Sequence, residues 1–352
     1  MPKRHRLDPG IFNLPVAKMR AGHYSDKYFV RARDILVADG HRPRVTLQVF
    51  GKAHAWLGGI DEAIAILKLS AIEWGELQAW ALYDGDEVQP WETVLLIEGP
   101  YDAFAHLETL YLGVLSRRTR VLTNTRRVVE AAAPKEVMFF PARHDHWLVQ
   151  EGDGYAARLA GVTGVSTDAQ ASWWGSEGIG TVPHALIAVY GGDTVRATHE
   201  FADHAGADVR LISLVDFHND CVRTSLEVAE ALGPRLYGVR LDTSEMLVDR
   251  SLWSQLGQFK PAGVNQQLVW NVRRALDGAG HRAVKIFVSG GFTAPKIREF
   301  QEAGVPVDGY GVGSSLLEGK FDFTADVVLL DGEPSAKAGR TFRPNPRLER
   351  VE

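Results

Sequence analysis

In the C-terminal half of the chain, short unbroken apolar runs alternate with helical stretches, and this constrains the fold more than any other feature. Residues 209–215 (VRLISLV) read as a continuous strand, followed by a helix near 224–232 that Gly233-Pro234 ends. Residues 236–241 (LYGVRL) form the next strand. A helix follows at about 264–276, where Val264, Leu268, Val272 and Leu276 share a face. Residues 284–288 (VKIFV) are a strand, 294–303 a helix and 307–311 (VDGYG) a short strand. Strands that are apolar throughout need cover on both faces, as in a parallel sheet flanked by helices. Both a β/α barrel and a doubly wound sheet satisfy the pattern.

Either architecture binds ligands at the C-terminal strand ends. The residues just past the strands are Asp216-Phe217-His218-Asn219-Asp220, Asp242-Thr243-Ser244-Glu245, Ser289-Gly290-Gly291 and Gly311-Val312-Gly313-Ser314-Ser315. Glycines let backbone N–H groups approach an anion, so the last two turns read as a pair of phosphate cradles. The plainer reading is two tight turns. Asp216 and Asp242 can accept ribose hydroxyls, hold Mg²⁺ or stabilise a cationic centre. The plainer reading there is helix N-capping.

Three further segments carry side-chain chemistry. Gly180-Thr181-Val182-Pro183-His184 sets a histidine before an apolar run, a position more often structural than functional. Phe140-Pro141-Ala142-Arg143-His144-Asp145-His146 pairs an aromatic with an arginine, which suits a flat anionic ligand. His144 and His146 share one strand face on this reading and could chelate a metal, but no third ligand lies nearby. Tyr24 to Phe29 reads as a capped turn with an aromatic anchor.

The N-terminal third is mixed, with strands at 44–50 and 93–97, a helix at 61–69 capped by Asp61, and a helical stripe over 103–115. A chain of 352 residues holds two domains, or one large barrel with an appendage. No apolar run approaches the roughly 20 residues of a membrane span, and the basic start (MPKRHRL) lacks the apolar stretch of a secretory signal. A net charge of −5 without a basic block argues against a nucleic-acid groove. Cys221 is the only cysteine, which excludes an internal disulfide. The chain reads as a cytoplasmic protein of enzyme size.

The order and spacing of these motifs resemble the nicotinate phosphoribosyltransferases, especially the shorter archaeal-type members. The matching pieces are Ser25-Asp26-Lys27-Tyr28-Phe29, Ile97-Glu98-Gly99-Pro100-Tyr101 with Leu107-Glu108-Thr109 behind it, and Phe140-x-x-Arg143. The series continues with Gly180-Thr181-Val182-Pro183-His184-Ala185, Val239-Arg240-Leu241-Asp242-Thr243, Val288-Ser289-Gly290-Gly291 and Gly311-Val312-Gly313-Ser314. The chain departs from the family at Pro141, at His144 and at Thr163-Gly164-Val165-Ser166, all near the expected base pocket. Asp216-Phe217-His218 stands where an Asp-Thr-Tyr-like segment is usual.

The resemblance implies an irregular β/α barrel of the type II phosphoribosyltransferase kind over 126–320. An N-terminal α/β sandwich-like domain over 1–125 is joined by 321–352. It implies transfer of the phosphoribosyl group of phosphoribosyl pyrophosphate to nicotinate, coupled to ATP hydrolysis through a phosphorylated His184. Ser289, Gly290, Gly291, Gly311, Gly313 and Ser314 then hold the 5′-phosphate. Asp242 and Asp216 contact the ribose hydroxyls and are the candidates for Mg²⁺, with no metal site otherwise assigned. Phe140, and Tyr28 from a partner subunit, sandwich the base; Arg143 and Arg240 supply positive charge; Ser166 and Thr181 line the substrate site. The family is dimeric with shared active sites. The alternatives are a quinolinate or nicotinamide phosphoribosyltransferase, a barrel isomerase or aldolase, for which no lysine follows any assigned strand, and a non-catalytic relative.

Overall fold

The computed structural model describes residues 4–206 and 209–352, so the first three residues of the basic start lie outside it. Its strands are β1 (Arg44–Gly51), β2 (Ala55–Trp56), β3 (Gln78–Ala81), β4 (Glu87–Val88), β5 (Thr93–Pro100), β6 (Glu136–Phe139) and β7 (Gly164–Val165). They continue as β8 (Ile212–Leu214), β9 (Gly238–Leu241), β10 (Lys285–Val288), β11 (Gly309–Val312), β12 (Phe323–Leu330), β13 (Glu333–Pro334) and β14 (Glu349–Arg350). The chain divides into two compact units, Met1–Thr123 with Gly319–Glu352, and Asn124–Glu318. Among the described residues no helix is long and apolar enough to cross a membrane.

The first unit is built on an antiparallel sheet in the order β13-β12-β1-β5-β3-β14. Alternation along β1 explains its central place. Val45, Leu47 and Val49 enter the apolar core with Ile64 and Leu67 of helix Ile60–Ser70. Gln48 bonds the C-terminal segment instead, donating to the carbonyl of Thr341 at 2.9 Å and accepting from Arg343 N at 3.0 Å.

The expected cap at Asp61 is not made. Helix Ile60–Ser70 starts after Gly59, which sits at φ +85 and has no side chain to offer. Asp84 takes the role, accepting from the backbone N–H of Ile60 at 2.8 Å and of Asp61 at 3.2 Å. Asp61 pairs instead with Arg6 at 2.8 Å. The stripe over 103–115 is also broken: Phe104 leaves helical geometry at φ −137, and a long helix, Glu108–Ala132, begins after it. The turn expected at Tyr24 to Phe29 continues into helix Lys27–Asp39, which buries none of its residues.

The second unit is a parallel sheet in the order β7-β6-β11-β10-β9-β8. Among the described residues its two end strands, β7 and β8, do not pair, so this is an incomplete β/α barrel. Helices Cys221–Leu232, Gln266–Gly278 and Ala294–Glu302 follow β8, β9 and β10. The last strand, β11, returns beside the first, β6. The strands are shorter than their apolar runs. β8 covers only Ile212–Leu214 of the run 209–215, because the ladder to β9 pairs only Ile212, Ser213 and Leu214. The expected strand face for His144 and His146 is absent: β6 ends at Phe139, and single 3₁₀ turns follow at Ala142–His144 and Trp147–Val149.

Candidate active site

The plain reading of Asp216 and Asp242 as helix caps fails on geometry. Helix Cys221–Leu232 is capped by Asp220, and helix Gln266–Gly278 by Asn265. Likewise Thr293, not Ser289, caps helix Ala294–Glu302. The side chains at the strand ends are therefore available for other contacts, and they make them with one another.

Asp216 faces His184. The imidazole Nε2 lies 3.1 Å from Oδ1 and 3.2 Å from Oδ2 of the carboxylate. The hydrogen bond to Asp216 holds the His184 pKa above its ordinary value; partial burial opposes it, and the charges of Asp216 and Asp242 add to the rise. His184 opens the short helix His184–Val189. His218 Nε2 lies 2.8 Å from the carbonyl of Gly192, just beyond that helix, and ties it to the loop after β8.

Asp242 accepts a hydrogen bond from Ser289 Oγ at 2.7 Å. Gly290 and Gly291 follow at φ +81 and +67, the left-handed region that favours glycine. A Cβ on Gly290 would stand 3.4 Å from Asp242 Oδ1, so the two strand ends meet at this turn.

Arg240, on β9, lies with its guanidinium carbon 5.9 Å from the centre of the Phe140 ring. Its Nε is buried and has no hydrogen-bond partner among the described residues. Burial lowers the Arg240 pKa from its ordinary value, an effect that Asp242 and Asp216 oppose and Arg143 reinforces. An unpartnered buried donor of this kind is uncommon and marks a place where a partner is missing. Gly311 makes room for the ring: a Cβ there would stand 2.7 Å from Phe140 and 3.3 Å from Ser289 Cβ. A Cβ on Gly313 would stand 2.9 Å from the ring of His144.

His184, Asp216, Asp242, Ser289, Gly290, Arg240, Arg143, Phe140 and Gly311 are thus linked at one end of the parallel sheet. Ser166 is spoken for, since its N–H and hydroxyl both donate to Gln170 Oε1, at 3.0 and 3.1 Å. Thr181 is half-buried on the segment leading to His184. Ser314 is exposed in a 3₁₀ turn after Gly313. Tyr28 belongs to the first unit, exposed on helix Lys27–Asp39 with its ring 4.2 Å from that of Phe29. Two contacts escaped the sequence reading: His218 with Gly192, and Glu245 against Gly291. Both acting side chains stand in strand-end segments and Gly291 was singled out as part of a cradle, but Gly192 carried no signal and neither contact was predictable from spacing.

Comparison with known proteins gives three results. Residues 26–119 match the family described as quinolinate phosphoribosyl transferase, N-terminal domain. The chain is 29% identical over 277 residues to nicotinate phosphoribosyltransferase pncB1 of Mycobacterium tuberculosis, an alignment covering 75% of this chain. That alignment covers 55% of the relative, so the chain spans about half the length of the curated relatives it matches. Among solved structures, nicotinate-nucleotide pyrophosphorylase from Pyrococcus furiosus is similar at TM-score 0.81 and 33% identity, covering 96% of this chain and 85% of that one. Human nicotinic acid phosphoribosyltransferase shares the fold at TM-score 0.66 and 17% identity, covering 90% of this chain and 77% of that one.

Proposed function

The chain belongs to the type II phosphoribosyltransferases, and from that premise we propose that it joins nicotinate to phosphoribosyl pyrophosphate, releasing nicotinate mononucleotide and pyrophosphate. One observation carries this reading. The Arg240 guanidinium, its Nε buried and unpartnered, lies over the Phe140 ring beside the carboxylates of Asp216 and Asp242. A flat anionic ring finds a π-face and a cation there, and a cationic ribosyl centre finds two carboxylates.

In this reading Phe140 stacks on the base, and Arg240 and Arg143 meet its carboxylate or the phosphates. The ring nitrogen of nicotinate is already nucleophilic, so no strong general base is required. Asp242, positioned by Ser289, accepts the ribose hydroxyls and faces the positive charge that develops as pyrophosphate leaves. The turn at Ser289, Gly290 and Gly291, with Gly311, Gly313 and Ser314, holds the 5′-phosphate. Ser166 and Thr181 stand at the margin of the substrate site, and Tyr28 reaches the base of a partner subunit.

Two carboxylates and a hydroxyl are hard oxygen donors of the kind Mg²⁺ prefers together with substrate phosphates. Asp216 and Asp242 are the residues that would hold it, and it would supply neutralisation of the pyrophosphate charge. Coupling to ATP falls to His184. With Nε2 hydrogen-bonded to Asp216, Nδ1 keeps its lone pair for a phosphoryl group, and Asp216 stabilises the positive charge left on the ring. The same reading includes a homodimer, supported by helix Lys27–Asp39, which exposes Tyr28, Ile35 and Val37 while Phe29, Val30 and Leu36 are half-buried. It also takes the two units as domains, and the cytoplasm as the place of action.

Quinolinate is the second reading, favoured by the family match over residues 26–119. Steady-state turnover with nicotinate, nicotinamide and quinolinate, each with and without ATP, decides between them. Preference for nicotinate supports the first reading; turnover of quinolinate alone replaces it.

A further inference from the structure

The Gly290-Gly291 turn is not open. Glu245 lies against it: a Cβ on Gly291 would overlap Glu245 Oε1. Gly263, at φ +69, lets the same residue approach from behind, since a Cβ there would stand 3.2 Å from Glu245 Cα. The two glycines thus form a slot that the acidic side chain occupies. The residue is exposed, and its carboxylate has no hydrogen bond or ion pair among the described residues. The neighbouring cation is Lys296, whose ammonium sits 4.4 Å from the Phe292 ring centre. Burial lowers the Lys296 pKa, while the charges of Glu245 and Glu299 oppose that fall.

A phosphate entering this turn meets a like charge on the very glycine that must admit it. We propose that Glu245 competes with the incoming phosphate for the Gly290-Gly291 turn and must be displaced for phosphate to bind. This rests on the reading of that turn as a 5′-phosphate cradle and adds a selectivity to it. A bare phosphate has only the turn to offset the displacement. A sugar phosphate gains hydroxyl contacts at Asp242 as well.

The test is calorimetric titration of inorganic phosphate and of ribose 5-phosphate into the wild type, Glu245→Gln and Glu245→Ala. Both substitutions are at an exposed position, and thermal unfolding checks that the variants fold. Removing a like charge a few ångströms away is expected to tighten inorganic phosphate binding at least about fivefold in both variants. The gain should shrink in ~1 M salt, where the Debye length falls to about 3 Å. If the wild type binds ribose 5-phosphate but neither variant binds inorganic phosphate more tightly, the competition is overturned and the cradle stands. If no form binds either probe, both are overturned.

Discussion

His184, at the start of its helix, and Asp216, just past β8, are hydrogen-bonded, with Nε2 3.1 Å from one carboxylate oxygen and 3.2 Å from the other. The histidine leads a short helix and the aspartate follows β8, so the pair exists only once the segment from 184 to 192 is docked beside that strand. His218, bonded to Gly192, helps to dock it.

His184→Ala is therefore expected to abolish stimulation of phosphoribosyl transfer by ATP while leaving ATP-independent turnover. Equal stimulation in mutant and wild type removes His184 from that role. In the wild type, NMR titration should place the imidazole pKa above that of the Asp216→Asn variant, because the hydrogen bond to Asp216 raises it. The pair's contribution to stability is present below the unfolded value of 6.5 and is lost as pH rises through the folded value.

Gly290→Val should weaken phosphoribosyl pyrophosphate binding at least tenfold, about 1.4 kcal/mol. A branched side chain at φ +81 is strained, and it points toward Asp242 Oδ1, 3.4 Å from the new Cβ. Unchanged calorimetric affinity in a folded variant would reject the cradle.

For the base pocket, Arg240→Met and Arg143→Ala give a graded expectation. Losing a charge-assisted hydrogen bond in a closed site costs on the order of 2–3 kcal/mol. Arg240, with its buried, unpartnered Nε, should show the larger rise in KM for nicotinate. Arg143 is exposed and should show the smaller one. Nicotinamide, which lacks the carboxylate, should be little affected by either. If both variants damage only the phosphoribosyl pyrophosphate kinetics, the two arginines are phosphate ligands.

Asp84 makes a stability prediction in the first unit. Desolvation, with the charge of Asp61, pushes its carboxyl from 3.8 up to about 7, against the N–H groups that it caps. A raised folded-state pKa means stability that is present below pH 3.8 and lost as pH rises toward 7. Urea unfolding of Asp84→Asn should show a shallower decline across that interval than the wild type. Identical slopes would mean that Asp84 titrates normally.

Of the parallel strands, β8 to β11 were legible because each is a short, mostly apolar run and helical stripes separate them. The strand ends were less so. The run 209–215 is mostly apolar, yet only Ile212, Ser213 and Leu214 stand in register with β9, and Leu211 and Val215 add single hydrogen bonds at its two ends, because pairing depends on where the neighbouring strand lies. The cap at Asp61 was misread for a related reason. Proximity in sequence favoured Asp61, but Asp84 reaches the same N–H groups through the fold. The histidine pair failed because Pro141, which has no N–H, follows soon after β6 and the chain turns out of the sheet.

By itself the sequence determined β8 to β11 with the helices between them, the polar residues that close those strands and the motif order that marks the family, while β6, β7 and the helices Gln150–Ala160 and Thr194–His204 went unread. These are local properties, set by side-chain period and turn chemistry within a few residues. The tertiary structure decided which of those residues meet. The return of β11 beside β6 brings Phe140 to Gly311. The pairing of β9 with β10 brings Asp242 to Ser289. The folding-back of residues 243–263 sets Glu245 on Gly291. Such contacts depend on strand order and loop path, which join segments far apart in the chain and leave no trace in any local pattern.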